Sequence, residues 1–449
     1  MNLINLCAKR PSLALSNSRI RCNFGRYKSE ITINSKEIEQ TLDNLPLAGY
    51  RVVDLTRILA GPYCTMLLGD LGAEIIKVEN PQNGDDSRTW GPPWAYNKDS
   101  NDKSSPESAY FLAINRNKKS ITINLKTQLG VQIIKDLVKK SDILVENYIP
   151  GKLDKMGLGY EELKKINPKL IYASITGYGQ TGPYAKRAGY DVIVEAEAGL
   201  MHITGEEGGE PVKVGVAITD LTTGLYTHGA IMAALISRMR TNQGQRIDCS
   251  LIECQVASLA NIGSNYLIAN QEASRMGTSH PSIVPYQRFK TKDSFIMIGT
   301  GNDGQFRILC NAIEKRTLLH DERFKTNSGR VKNRKELIDI LQEKFIEYDT
   351  EYWLSVFSDK GIPFAPINNI KKTFEHPQII AREMIQEIDH PKAGKIKLTG
   401  IPVKYSKENP RIRLPPPTLG QHTHEVLSNI LGYSEDKIKT LVEGHIINQ

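Results

Sequence analysis

In the segment Val216-Ala217-Ile218-Thr219-Asp220-Leu221-Thr222-Thr223-Gly224 a single acid stands among small residues where the chain enters an apolar helix. A carboxylate in that setting has two uses. It can cap the helix by accepting a backbone N–H, or it can attack an activated acyl carbon and form a mixed anhydride comparable in energy with a thioester. Upstream, Gly189-Tyr190-Asp191 presents a second acid. Further on, Gly299-Thr300-Gly301-Asn302-Asp303-Gly304 reads as GxGxxG. Its glycines, Gly299, Gly301 and Gly304, let backbone N–H groups approach a ligand closely, which serves either the oxyanion of acyl transfer or a dinucleotide pyrophosphate. The dinucleotide reading fails downstream, because Arg316 to Arg334 is too polar to supply the second strand that carries the ribose-binding acid. No GxxxxGK[ST] motif accompanies these groups, so no P-loop nucleotide site is expected.

Such groups need rigid elements to hold them. Short β-branched runs alternate with amphipathic segments from Arg51 onward, and the pattern predicts a large Rossmann-like α/β domain over 46–250, built on a parallel sheet flanked by helices. A long helix follows Asp220 to about Arg240, a strand covers Arg246 to Cys249, and a second long helix runs to about Gln271, with 251–279 as a helical linker. Tyr286 to Lys290 and Phe295 to Gly299 read as a hairpin that opens a smaller α+β domain over 280–370. A second hairpin, at Met384 to Asp389 and Lys395 to Thr399, belongs to a return segment, 371–449. There Pro415-Pro416-Pro417 sends the C-terminal helices back over the large domain.

The 449 residues carry a formal charge of +8. Lys9, Arg10, Arg19, Arg21, Arg26 and Lys28 face only Glu30 within the first thirty residues, so the rest marks out no track for a nucleic acid. That basic, serine-bearing leader, residues 1–30, reads as a mitochondrial presequence and implies the matrix. No apolar run is long enough to suggest a membrane partner. Of six cysteines, Cys7 and Cys22 fall in the leader, while Cys64, Cys249, Cys254 and Cys310 form neither CxxC nor a metal-ligand cluster. Reduced core thiols and no metal are expected. His202 and His228 sit in apolar sequence and read as satisfied structural histidines.

Taken with Asp54-Leu55-Thr56-Arg57-Ile58-Leu59-Ala60-Gly61-Pro62 and Leu68-Gly69-Asp70-Leu71-Gly72-Ala73-Glu74-Ile75-Ile76-Lys77-Val78-Glu79, these motifs resemble the class III CoA-transferases from about Leu47 to about Leu427. The resemblance implies that Asp220 is the covalent nucleophile and that the glycine loop is a mobile cover supplying oxyanion donors. It implies CoA contacts at Leu59, Ala60, Asn124, Leu125, Lys126, Asn147, Tyr148, Lys155 and Tyr190. Several relatives place an arginine where Asn80 stands here, which passes one phosphate contact to nearby Arg88 or Arg116. The implied substrates are succinyl-CoA as donor and glutarate or a related small dicarboxylic acid as acceptor, with CoA a substrate rather than a resident cofactor. Arg57, Arg187 and Lys186 are the candidate cations for the far carboxylate. The family also implies an interlocked homodimer. The alternatives are an α-methylacyl-CoA racemase-like isomerase, whose relatives carry a histidine where Tyr190 stands, and a catalytically silent acyl-CoA-binding protein.

Overall fold

Runs of four to six residues, each carrying valine or isoleucine, become the strands of a six-stranded sheet in the computed structural model, which describes residues 44–448 apart from Lys103. Strands β1 (Arg51–Asp54), β2 (Glu74–Glu79), β3 (Lys118–Thr122), β4 (Ile143–Glu146), β5 (Ile171–Thr176) and β6 (Arg246–Ser250) lie in the order β3-β2-β1-β4-β5-β6. Every pairing is parallel, with Val52 opposite Ile75 on one side and Ile143 on the other. Both faces are covered, as a parallel sheet requires. Because successive side chains alternate, Val53 and Leu144 enter one apolar layer with Ile134 and Leu137. Val52 and Val145 enter the other with Cys64, Leu68 and Ile231.

Helix α1 (Ala60–Asp70) follows β1, and α2 (Gln128–Lys139) starts where Thr127 accepts the Gly130 N–H. Helix α3 (Asp191–Glu197) precedes α4 (Ile218–Thr241), which packs against α1. That crossing requires Gly224: a Cβ there would stand 2.8 Å from the Ala60 carbonyl oxygen. In place of a single helix to Gln271, the chain forms α5 (Leu251–Ser258) and α6 (Ala260–Ala269). The break falls where Ala260 takes a left-handed φ of 46°.

A separate antiparallel sheet joins β7 (Tyr286–Lys290), β8 (Phe295–Gly299) and β9 (Phe364–Pro366). It shares a core of Phe289, Phe306, Phe345, Trp353 and Phe357 with α7 (Asp303–Ala312), α8 (Arg334–Phe345) and α9 (Thr350–Phe357). After the hairpin of β10 (Ile385–His390) and β11 (Gly394–Thr399) the chain returns to the large sheet. The Ser120 carbonyl accepts the His422 N–H at 2.9 Å and the Asn124 N–H donates to the Ile446 carbonyl at 2.7 Å. Leu427, Ile438, Leu441 and Ile447, the middle two on α10 (Glu435–Glu443), complete the first apolar layer. The open edge of β3 is thereby covered. No helix among the described residues is long and apolar enough to cross a membrane.

Candidate active site

The strand order reverses direction at β1, and in open α/β sheets the loops leaving the carboxyl ends on either side of such a point diverge and leave a crevice. A cavity of about 230 Å³ occupies it. Its walls are Arg57 to Ala60 after β1, Asn147 to Pro150 after β4, Thr176 and Gly177 at the end of β5, Arg187 to Tyr190, Asp220 and Leu251. Gly177 and Gly189 meet backbone to backbone, where a Cβ on Gly177 would fall 2.8 Å from the Gly189 Cα. Only that close approach brings Arg187 and Tyr190 over the end of β5. A second cavity, of about 260 Å³, lies alongside, with Arg57, Tyr148 and Lys152 lining both. It extends past Asn80 at the end of β2 to Asn124, Leu125 and Lys126 after β3.

The structure thus gathers Asp220, Leu59, Ala60, Asn147, Tyr148 and Tyr190 in one cavity and Asn124, Leu125 and Lys126 in its neighbour. Lys155 is exposed and lines neither; Lys152, one turn earlier on the same short helix, lines both. Gly299, Gly301 and Gly304 lie at the junction of β8 and α7, away from both cavities. There the Gly301 N–H donates to Gln305 Oε1 at 2.7 Å, and Asn302 caps α7 by accepting the Gln305 N–H.

Arg88 and Arg116 are corrected as phosphate ligands, because each is consumed by a buried ion pair. Arg88 forks onto Glu79 at 2.7 Å and stacks on Phe111, and Arg116 pairs with Asp70 at 2.7 Å. Of the three candidate cations for a far carboxylate, Arg57 and Arg187 reach the Asp220 cavity and Lys186 does not. Nor are the two histidines satisfied core residues. His202 is exposed, and the His228 Nε2 is buried without a partner among the described residues.

Asp220 stands in the first turn of α4 without capping it. The N-cap is Ala217, and the free N–H groups are met from outside: Asp191 Oδ1 accepts the Asp220 N–H at 3.0 Å, and the Asp191 carboxylate also takes the Thr219 N–H. The Asp220 carboxylate itself has no hydrogen-bond partner among the described residues. Burial, reinforced by the Asp191 charge, pushes it up to about 7. Tyr110, on the short helix Ala109–Ile114, lies close enough to feel this pair; burial, then the charges of Asp220 and Asp191, push its phenol up to about 12. Neither Asp191's capping role nor Tyr110 carries a sequence signal, since both contacts join distant segments.

The wall after β1 is held under strain. Ile58 has φ of 74°, a conformation that β-branched residues rarely adopt. Its N–H donates to Asp85 Oδ1 at 3.1 Å, while Asp85 Oδ2 accepts from the fully buried Lys77 Nζ at 2.8 Å and Lys77 reaches the Thr56 carbonyl at 3.0 Å. Asp85→Asn is expected to lower stability by about 3 kcal/mol, the scale of stranding one charge of a buried pair. The check is a fall in urea midpoint at unchanged slope.

Residues 47–423 match CoA-transferase family III. The chain is 52% identical over 404 residues to the succinyl-CoA:glutarate CoA-transferase of Homo sapiens, a match covering 90% of each protein. It is 43% identical over 385 residues to the succinate–glutarate CoA-transferase of Agrobacterium fabrum, covering 86% of this chain and 96% of that one. Among solved structures, a CAIB/BAIF family protein from Brucella suis aligns with a TM-score of 0.77 and 43% identity over 86% of this chain and 100% of the other. The doubly wound sheet, the acid-bearing crevice at its switch point and likeness along nearly the whole described length agree: the protein is a CoA-transferase and belongs to CoA-transferase family III.

Proposed function

We propose that this enzyme moves CoA from succinyl-CoA to glutarate or a related short dicarboxylic acid, with Asp220 as covalent nucleophile. The carrying observation is the unpartnered Asp220 carboxylate in the crevice, relieved of capping by Asp191. The printed activities of the human and Agrobacterium relatives support the substrates. A carboxylate oxygen of Asp220 attacks the thioester carbonyl, the C–S bond breaks, and CoA leaves as thiolate from an aspartyl–succinyl anhydride. The thiolate attacks the aspartyl carbonyl, releasing succinate and leaving an aspartyl-CoA thioester. The acceptor carboxylate displaces CoA again, and the thiolate then attacks the acceptor's carbonyl, regenerating Asp220. On this reading the thiol end of CoA lies by Leu59, Ala60 and Tyr190, while its phosphates run toward Lys152, Arg57 and Lys126. Arg187 is the better cation for the far carboxylate. It lines only the Asp220 cavity, whereas Arg57 is shared with the second cavity; each is paired to a carboxylate, Arg187 with Glu197 at 3.0 Å and Arg57 with Asp86 at 2.8 Å. Among the described residues no histidine lines either cavity, which counts against a two-base isomerase.

The glycine loop is read as the cover that closes on this site, and the exposed Leu225, Tyr226, Leu267 and Ile268 on α4 and α6 as part of a homodimer face. Residues 1–30, outside the described residues, are read as the address to the mitochondrial matrix.

Hydroxylamine added during turnover with succinyl-CoA should leave a hydroxamate on the Asp220 peptide; modification elsewhere, or none, would overturn the assignment. The same chemistry sets a pH dependence. Because the carboxylate is the reactive form, kcat/KM should rise through about pH 7 and then level. In Asp191→Asn the side-chain oxygen can still accept the N–H but the neighbouring charge is gone, so the limb should move to lower pH. A profile that does not move would separate Asp191 from the tuning of Asp220.

A further inference from the structure

Cys249 and Cys254 touch, with Sγ to Sγ at 3.5 Å. Five-residue spacing carries no redox signature in sequence, but the local fold explains the contact. Ser250 is the N-cap of α5 and accepts the Glu253 N–H at 3.3 Å, so Cys249 is the residue before the cap and Cys254 the fourth helical residue. Those two positions meet across a helix start and ordinarily hold an apolar pair, the hydrophobic staple. Here both are thiols. Cys249 is half-buried at the end of β6, Cys254 is buried, and the hydrogen bond from Cys254 lowers the Cys249 thiol below its ordinary range. Cys64 is also buried; burial and then the Asp54 charge push its thiol up, with the charge of Cys249 a smaller addition.

We propose that Cys249 and Cys254 form a dithiol modification site that a peroxide converts to an intramolecular disulfide, replacing the staple by a covalent bond. The Cys249 thiolate attacks one peroxide oxygen; the S–O bond forms, the O–O bond breaks, and the leaving oxygen departs as water after taking a proton. The Cys254 sulfur then attacks the sulfenic sulfur; the S–S bond forms, the S–O bond breaks, and the Cys254 proton leaves in a second water. Two thiols and one peroxide become one disulfide and two waters. The partially exposed thiolate is the attacking group and the buried thiol the resolving one, the order that access dictates. The ring so closed contains Leu251, a wall residue of the Asp220 cavity.

The test treats the full-length protein with one equivalent of hydrogen peroxide, alkylates remaining thiols under denaturing conditions and digests without reductant for mass spectrometry. The expected result is loss of two alkylatable thiols, both in the peptide spanning Cys249 to Cys254, with the mass of two hydrogens missing and both thiols restored by dithiothreitol. In Cys254→Ser, Cys249 should instead be captured as sulfenic acid by dimedone. Full alkylation of both cysteines in the treated parent, or a link from Cys249 to Cys64, would overturn the pairing. Oxidation of Cys254 undiminished in Cys249→Ser would overturn the order of attack.

Discussion

Asp220→Asn should abolish CoA transfer, by roughly 10³-fold or more, the scale of removing a covalent nucleophile, while CoA binding and the fold survive. The amide keeps the size of the side chain, and the backbone N–H that Asp191 accepts is untouched. The structure adds a second, independent readout. The folded carboxylate is pushed up to about 7 from an ordinary value of 3.8, so its contribution to stability is complete below about pH 4 and is lost as pH rises through about 7. Asparagine does not titrate. At pH 8 the variant should therefore be more stable than the parent by roughly 1–3 kcal/mol, a figure reduced from the full shift because the side chain is only partly buried. The advantage should vanish near pH 4. Turnover within tenfold of the parent would remove Asp220 from the chemistry, and an unchanged pH–stability curve would remove the unpaired carboxylate from the energetics.

Gly301→Val should slow transfer by roughly 10²-fold, the scale of losing one aimed oxyanion donor, with little change in CoA affinity. A Cβ at Gly301 would meet only Gln305 Oε1, at 3.4 Å, an ordinary contact. The isolated chain therefore tolerates the added atom, and on the reading of the loop as a cover a large kinetic effect reports its closing. In the present conformation the Gly301 N–H is engaged by Gln305. Service as a donor requires that bond to open, so the valine acts by stiffening the loop as well as by bulk. Measuring transfer rate, CoA dissociation and acyl-enzyme trapping side by side decides the matter. Unchanged rate and trapping would make the loop a tight connection, and lost CoA affinity would move it into the binding groove.

Periodicity sufficed for elements whose neighbours are sequential. Tyr286 to Lys290 and Phe295 to Gly299 pair as expected, and the βαβ unit from Arg51 is in place within a residue or two. It failed for Phe364–Pro366, where three residues ending in proline become a strand only because β8 offers an edge. It failed again at Leu259-Ala260, where no glycine or proline announces the break between α5 and α6. The site was legible to the extent that continuous motifs carry it, as with Asp220 and Asn147-Tyr148. Sequence shows a charge and never its partner: Arg88 and Arg116 read as available cations and prove to be spent, and nothing in the sequence separates Lys152, which lines both cavities, from Lys155, which lines neither.

The late return of the chain makes closing the sheet a late step of folding. Thr122 Oγ1 donates to the Asn448 carbonyl across 326 positions, and Ile447 belongs to the same apolar layer as Val53. A chain presented N-terminus first exposes β3 well before that closing partner arrives. For that interval the outermost strand stands open and one face of the sheet lacks part of its cover. Until Ile447 and Asn448 dock, that bare edge and face are where two incomplete chains would pair, so their arrival protects the sheet as well as completing it.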